Sequence, residues 1–218
     1  MSKGKKFAVV LSGCGVYDGA EIHEATLTLY AIALQGATYQ VFAPDIVQHH
    51  VINHLTGEEM NEKRNVLVES ARIARGNAKA LSEFNPSDYD ALIFPGGFGA
   101  AKNLCSFAFD GPNCKVNPEV ESVIKSMHKL KKPIGALCIS PVLLAKLISN
   151  ATLTIGQDKG TAGALENLGA KHKNTSHGEV AADLENMLFT TPCYMLESTI
   201  VDIANGAIAV VKEMLKHI

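Results

Sequence analysis

The chain has 218 residues, 47% of them hydrophobic and 19% charged. That suffices for a sizeable core and is too apolar for a disordered segment. Twenty Lys and Arg against 22 Asp and Glu give a formal net charge of −2, which argues against a general nucleic-acid binder. No apolar run approaches the ~18–20 residues needed to span a bilayer, so no membrane partner is expected.

The N-terminus is basic from Met1 to Lys6, but only Phe7 to Leu11 follows as an apolar run. That run is too short for a secretory signal and reads as a first strand, so a cytoplasmic protein is expected. Glu21 to Leu34 follows as a helix, with Ile22, Ala25, Leu29 and Ile32 on one stripe and Gly36 as its stop. Tyr39 to Ala43 is a second strand. Ile46 to Asp88 is the least regular stretch, and its Asn65 to Arg75 portion leans to helix. Ala91 to Phe94 is a buried strand ended by Pro95-Gly96-Gly97-Phe98-Gly99. Asn117-Pro118 opens a helix with Val120, Val123, Ile124, Met127 and Leu130 on one face. Ile134 to Leu137 is the next strand. Pro141 to Ile148 is a helix apolar nearly all round, hence deeply buried. Leu153 to Ile155 and Met187 to Thr190 read as later strands. Glu197 to Lys216 is the last helix, facing Ile200, Ile203, Ala207, Val210 and Leu215 inward. Repeated strand–helix units imply a parallel sheet with helices on both faces, and ligands at the carboxyl ends of its strands.

Five cysteines, Cys14, Cys105, Cys114, Cys138 and Cys193, are widely spaced with no C-x-x-C pair, so a structural zinc site has no foundation. Reduced thiols are the default. Cys138 lies where a buried strand meets a buried helix, with Ala136 and Ser140 two places away on each side. That spacing suits a nucleophile elbow, whose sharp turn excludes bulky neighbours. The positive end of the helix near Pro141 then favours the thiolate and lowers the thiol pKa. The competing reading is an inert core cysteine. Glycines after the strand at Gly96 and Gly97 let backbone N–H groups approach a ligand. The N–H groups of Gly97 and Ile139 could together hold an oxyanion beside Cys138.

The first loop, Ser12 to Gly19, is glycine-rich and competes as a dinucleotide site. Its glycines read G-x-G-x-x-x-G, one residue too long, and Asp18, Glu21 and Glu24 bring negative charge. Glu21 and Glu24 occupy a first helical turn, where acids are favourable for dipole reasons alone. Either could instead aim a carboxyl at Cys138, and the helical wheel slightly favours Glu21. His49, His50 and His54 read as a solvated or locally bonded patch in preference to a metal cluster. Asn53, Arg64 and Arg72 could form a polar wall over the site, and surface salt bridges explain the arginines equally well. The thiol has no evident His partner. Ile139 follows Cys138, and His172 and His177 lie in a loop-like segment, so a triad peptidase or glutaminase is poorly supported.

Several long motifs carry a resemblance across almost the whole chain: Ser12-Gly-Cys-Gly-Val-Tyr-Asp-Gly19, Glu21-Ile-His-Glu24, Asn53-His-Leu-Thr-Gly57, Pro95-Gly-Gly-Phe-Gly-Ala-Ala-Lys-Asn103 and Thr190-Thr-Pro192. They resemble the ElbB family, also called isoprenoid biosynthesis proteins with an amidotransferase-like domain. The wider group is the class I amidotransferase-like superfamily, with the PfpI proteases and the parkinsonism-associated deglycase. The resemblance implies a flavodoxin-like α/β three-layer sandwich with a mostly parallel central sheet, built as one domain over residues 1–218. It also implies a nucleophile at Cys138 and puts the partner carboxylate at Glu24. The implied activity is a glyoxalase converting small dicarbonyls, such as glyoxal, to hydroxy acids without glutathione, metal or cofactor, in a homodimer. Ile139 departs from the proteases, which have His there, and Asp158 stands about where the deglycase carries a helper His.

The alternative to an enzyme is a redox or stress sensor whose Cys138 is oxidised to sulfinic acid. Four expectations follow. Cys138 is the most reactive thiol. Cys14 or Cys193 can resolve its oxidised form as a disulfide. Glu24 is protonated or shares a proton with Cys138. Loss of Glu24 raises the thiol pKa.

Overall fold

The computed structural model describes residues 4–218; Met1, Ser2 and Lys3 of the basic N-terminus lie outside the described residues. The strands are β1 (Lys6–Val10), β2 (Thr38–Ala43), β3 (Ala78–Ala80), β4 (Ala91–Phe94), β5 (Ile134–Leu137), β6 (Thr152–Leu153), β7 (Lys171–His172), β8 (Ala181–Asp183) and β9 (Leu188–Thr191). The helices are α1 (Ile22–Leu34), α2 (Val66–Ile73), α3 (Phe98–Lys102), α4 (Phe107–Asp110), α5 (Pro118–Lys129), α6 (Pro141–Leu147), α7 (Lys159–Asn167) and α8 (Ile200–Leu215).

Seven strands form one sheet in the order β3-β2-β1-β4-β5-β9-β8. All its pairings are parallel except β8 with β9. Successive side chains of a strand point to opposite faces, and β1 shows why its sequence is apolar throughout. Phe7 and Val9 pack on one face against Leu29 and Ile32 of α1 and Val210 of α8. Ala8 and Val10 pack on the other, in the cluster that holds Val120 and Ile124 of α5 and Val142 of α6. The result is the expected flavodoxin-like three-layer sandwich. Phe7, Phe94 and Phe189 are fully buried. Each such side chain contributes ~1.5–3 kcal/mol relative to an exposed one.

Local chemistry sets the helix starts. Asn117 accepts from the N–H groups of Glu119 and Val120, and Pro118 opens α5. Thr199 and Asp202 form a capping box for α8. Asn65 caps α2, so the stretch that leaned to helix is one.

Several expectations need correction. The stripe of α1 is rotated: Ile22 is 45% exposed, while Glu24 and Thr28 are fully buried. Apolar periodicity cannot register a face that buries polar groups. Leu130 and Ile200 are also exposed; Leu130 is the C-cap of α5 and Ile200 follows the α8 cap directly. The strand expected at Leu153 to Ile155 is only β6, which pairs with β7 in a separate two-stranded sheet. That pairing places His172 in a strand and not in a loop. The short elements β3, α3, α4 and β8 were not anticipated, being too brief to show a period, and α7, whose one buried residue is Leu165, shows no apolar stripe to read.

β1 has β2 on one side and β4 on the other, so chain connections leave in opposite directions there. The crevice at the carboxyl ends of β1, β4 and β5 is where an open parallel sheet receives ligands.

Candidate active site

Cys138 follows β5 directly. Its N–H donates to Thr191 O at 3.0 Å, extending the β5–β9 ladder by one residue, and its φ is +59°. A positive φ is uncommon outside glycine and carries strain. The turn closes at once, with Ser140 N–H donating to Leu137 O at 3.0 Å. Ser140 Oγ, fully buried, donates to Pro95 O at 2.7 Å and ties the β5 turn to the β4 turn. Ala136 is also fully buried. The small-x-Cys-x-small spacing therefore does produce an elbow.

Glu24 reaches the same point from α1. Its Oε2 accepts from Gly96 N–H at 2.9 Å and its Oε1 from Tyr194 N–H at 3.2 Å. Its carboxyl also hydrogen-bonds the Cys138 thiol. Side chains cannot be accommodated in the β4 turn: a Cβ at Gly96 would strike Cys138 Cβ and Glu24 Oε2, and Gly97 sits at φ +98°. The backbone N–H groups of Gly97 and Ile139 both donate toward the Cys138 sulfur. The four groups Cys138, Glu24, Gly97 and Ile139 thus converge.

Electrostatics modify the expected thiol. Burial, and secondarily the neighbouring Glu21 carboxylate, push Glu24 up to about 8. Burial and then the Glu24 charge push the Cys138 thiol well above its ordinary value, against the two N–H groups. The expected lowering by the helix end does not prevail, because Cys138 is only 8% exposed and its sulfur faces a carboxyl. The expected effect of losing Glu24 also reverses: Glu24 raises the thiol, so its removal lowers it.

Glu21 takes a different place. It is the N-cap of α1, its Oε2 accepting from Glu24 N–H at 2.7 Å, and its own N–H donates to Gly96 O at 2.9 Å. It lines a cavity of about 360 Å³ whose floor includes Cys138, Gly97 and Ile139. Of the two candidate glutamates, Glu24 meets the sulfur and Glu21 fixes Glu24.

Cys193, buried on the 3-10 turn after β9, shares the core cluster of Cys138. Burial, then Glu24 and Cys138, push its thiol well above the ordinary value. Cys14 is half-buried among Glu69, Arg72, Asp18 and Arg64. All five thiols are free.

The first loop is no phosphate cradle. Gly15 and Gly19 N–H groups are spent on Ala20 O and Gly15 O, and α1 is capped by a carboxylate. Asn103, missed in the sequence, holds this loop by donating to Ser12 O and Asp18 O at 2.9 Å each. Asp18 accepts from Ile52 N–H at 2.7 Å. His54 accepts from Tyr17 N–H at 3.2 Å, and His49 packs on Phe109. Among the described residues no three His, Cys, Asp or Glu side chains converge as metal ligands. Arg64 and Arg72 pair with Glu69, and Asn53 caps its own turn through Leu55 N–H. None of these three walls the cavity. Asp158 caps α7, and His177 meets Ser198. His23, also missed, lies 2.8 Å from the Tyr194 hydroxyl through Nδ1.

A second thiol pair was not anticipated. Cys105 forms an isolated antiparallel bridge with Val116, and α4 lies in the loop between Cys105 and Cys114. The Cys105 thiol hydrogen-bonds Cys114, which lowers Cys114 to about 7 with further help from Lys146 and pushes Cys105 up.

Residues 15–183 match the DJ-1/PfpI family. The chain belongs to that family. The rat ES1 protein homolog, mitochondrial (Rattus norvegicus), is 50% identical over 97% of this chain and 83% of that one. An isoprenoid biosynthesis protein with an amidotransferase-like domain from Ehrlichia chaffeensis has 33% identity and a TM-score of 0.91, covering 98% of this chain and 100% of that one. A glyoxalase III from Candida albicans shares the DJ-1/PfpI fold at 14% identity and a TM-score of 0.60, covering 97% of this chain and 96% of that one. The expected amidotransferase-like grouping holds, while the rat relative carries the ES1 name and not ElbB. The cytoplasmic expectation does not stand, because the rat, human and zebrafish relatives of this DJ-1/PfpI chain are all described as mitochondrial.

Proposed function

We propose that the chain is a cofactor-independent glyoxalase-type enzyme that converts glyoxal to glycolate through Cys138. The observation that carries this reading is the contact between the Cys138 thiol and the buried Glu24 carboxyl at the floor of a cavity. A nucleophile and an acid–base in contact are the minimum equipment for dicarbonyl rearrangement.

Once the pair has lost one proton, the Cys138 sulfur adds to one aldehyde carbon. The proton left on Glu24 passes to the carbonyl oxygen and gives a hemithioacetal. Gly97 and Ile139 N–H groups stabilise the oxygen as charge develops on it. The Glu24 carboxylate then removes the proton from the sulfur-bound carbon to form an enediolate and returns it to the neighbouring carbon, while the hydroxyl proton on the sulfur-bound carbon passes to the neighbouring oxygen. The product is a thioester of the hydroxy acid. Water cleaves the C–S bond, releasing glycolate and the thiol, so glyoxal plus water balances glycolic acid.

Assignment to the ElbB-like branch rests on the long motifs and on the identity with the Ehrlichia protein. The sensor reading is weaker, because peroxide attacks a thiolate and both burial and Glu24 oppose the thiolate here. The test is glycolate formation from glyoxal by the full chain, with Cys138→Ser as control. Turnover lost in Cys138→Ser supports the reading; no glycolate, or equal glycolate from both, overturns it.

A further inference from the structure

Cys105 and Cys114 flank α4, outside the Cys138–Glu24 pair. The two segments that carry them run antiparallel. Asn117 N–H donates to Leu104 O at 2.8 Å and Ser106 N–H to Lys115 O at 3.0 Å, which sets Cys105 opposite Val116. Cys114 lies two residues before Val116, and its backbone is extended at φ −57° and ψ 156°. Side chains two apart on an extended segment share a face, so the Cys114 sulfur is a diagonal neighbour of Cys105. The two thiols are hydrogen-bonded there. From that separation the sulfurs have about 2 Å or less to travel before they reach S–S bonding distance.

The pair has both a route to an oxidant and a lever on the cavity. Cys114 lines an open hollow of about 610 Å³ together with Lys115, Lys125 and Lys146. Lys146 Nζ donates to Pro112 O at 3.2 Å, which holds a cation over the loop. A thiol beside a cation and a donor is the kind that reacts with a hydroperoxide. The loop between the cysteines is α4, a weak element. None of its residues is fully buried and no side chain caps it. Its turn is held by the Phe109 and Asp110 N–H groups on Ser106 O. Yet its Phe107 and Ala108 wall the cavity over Cys138. Segments with little buried surface open at the lowest cost, so α4 is the wall whose opening uncovers the Cys138 sulfur.

We propose that Cys105 and Cys114 form a reversible disulfide, made by a hydroperoxide, that tightens α4 over Cys138. The Cys114 thiolate attacks one peroxide oxygen and the O–O bond breaks. Sulfenic acid forms at Cys114, and the departing hydroxide is protonated to water. The Cys105 sulfur then attacks the Cys114 sulfur, its proton leaving with the displaced hydroxide as a second water. Two thiols and hydrogen peroxide thus balance one disulfide and two waters, and a thiol reductant reverses the step. The new bond joins the ends of an eight-residue loop. Closing a loop removes freedom chiefly from its opened forms, so oxidation favours the closed wall. What the closed form gives up is the Cys105 S–H bond to Ala100 O at 3.4 Å, from a weak donor. The switch does not depend on which reaction Cys138 performs.

The experiment treats the full-length chain with a few equivalents of hydrogen peroxide and reads two things. Intact mass and peptide mapping identify what has been oxidised. The rate at which iodoacetamide labels Cys138 is then followed by mass spectrometry, on the alkaline side where that thiol reacts. Each measurement is repeated after dithiothreitol, and in Cys105→Ser and Cys114→Ser. Two variants guard against one of them failing to fold.

Expected are the loss of two hydrogen atoms, a Cys105–Cys114 cross-linked peptide with Cys138 unmodified, and Cys138 labelling slowed by about threefold or more. Dithiothreitol should restore the rate, and peroxide should leave it unchanged in both serine variants. Failure of these two cysteines to pair overturns the proposal, as does oxygen added to Cys138 before they pair. A bridge that leaves Cys138 labelling unchanged overturns it too, and so does slowing that persists in the serine variants. Labelling makes no use of turnover. A chain that is inactive on glyoxal but passes these tests sinks the glyoxalase reading and leaves the switch standing.

Discussion

Two pairs of buried acidic groups stand near the cavity, and their chemistry runs in opposite directions. Cys138 faces Glu24: burial raises both, the Glu24 charge raises the thiol further, and the hydrogen bond with the thiol only partly offsets the rise at Glu24. Cys114 faces Cys105, whose thiol donates to it, and Cys114 falls to about 7. The comparison separates acidity from position. The acidic thiol lies outside the cavity, while the thiol at the cavity floor is a weak acid. Chemistry at Cys138 therefore depends on a proton held in common with Glu24, more than on a thiolate present beforehand.

The largest expected effect tests whether Glu24 is held neutral. Its folded pKa, about 8, lies above that of an exposed glutamate, so the folded state binds the extra proton between the two values. Stability is then full below the unfolded pKa and falls as pH rises toward the folded one. Between pH 5 and pH 8 the parent should lose roughly 3 kcal/mol of unfolding free energy from this group. Urea titrations at the two pH values measure it. Glu24→Gln should abolish most of the difference; an unchanged pH dependence would mean that Glu24 is ionised in the fold.

Next in size is the kinetic consequence. Glu24→Gln should reduce glyoxal turnover by ~100-fold or more, the scale of a general acid–base. The same variant should alkylate faster at Cys138 near pH 8, because an anionic neighbour has gone. A disrupted site would also expose the thiol, so the reading requires that Glu24→Gln keep the parental urea stability at pH 8. If Glu21→Gln loses turnover and Glu24→Gln does not, the proton is moved by the cap residue instead.

The glycine at the base of the pair sharpens the same contrast through packing. A methyl at Gly96 would strike Cys138 Cβ and Glu24 Oε2. Gly96→Ala should destabilise the chain by ~1–3 kcal/mol, the usual cost of overpacking, and separate sulfur from carboxyl. Thermal unfolding and glyoxal turnover should fall together. Retained stability with parental turnover would show that the two groups do not depend on this contact.

The sheet and the elbow were legible because each is written in short-range pattern. Phe7 to Leu11 and Ala91 to Phe94 are continuous apolar runs, which only strands covered on both faces need. Ala136 and Ser140 flank Cys138 at the spacing that a sharp turn demands. The position of Glu24 was legible only by resemblance. Its burial contradicts the helical wheel, since a polar residue recruited to a site is counted as an outward one. The thiol pKa was misjudged for a related reason: the sequence places Pro141 and a helix start beside Cys138 but does not show a carboxyl arriving from α1. Cys105 and Cys114 are separated by eight intervening residues across a loop, and nothing in their spacing announces that they meet.

The smallest expected effect concerns that second pair. Iodoacetamide reacts with thiolate, so the labelling rate of each cysteine follows its own ionisation. Cys114 labelling should rise through about pH 7 and level off, though slowly, since the residue is only 2% exposed. Cys138 labelling should keep climbing above pH 8, where the pair with Glu24 has lost its first proton. Near neutrality Cys114 should therefore label ahead of Cys138, and the alkaline branch of the titration tests whether Cys138 outruns the other thiols. Cys105→Ala isolates the cause. It removes the donor to Cys114, leaves Cys138 and Glu24 untouched, and should shift the Cys114 profile toward the ordinary thiol value of ~8.5. At pH 7 that amounts to a severalfold slower labelling of Cys114 with no change at Cys138. A Cys114 profile that stays near 7 without Cys105 would assign the acidity to Lys146, and the contrast between a thiol partner and a carboxyl partner would lose its basis.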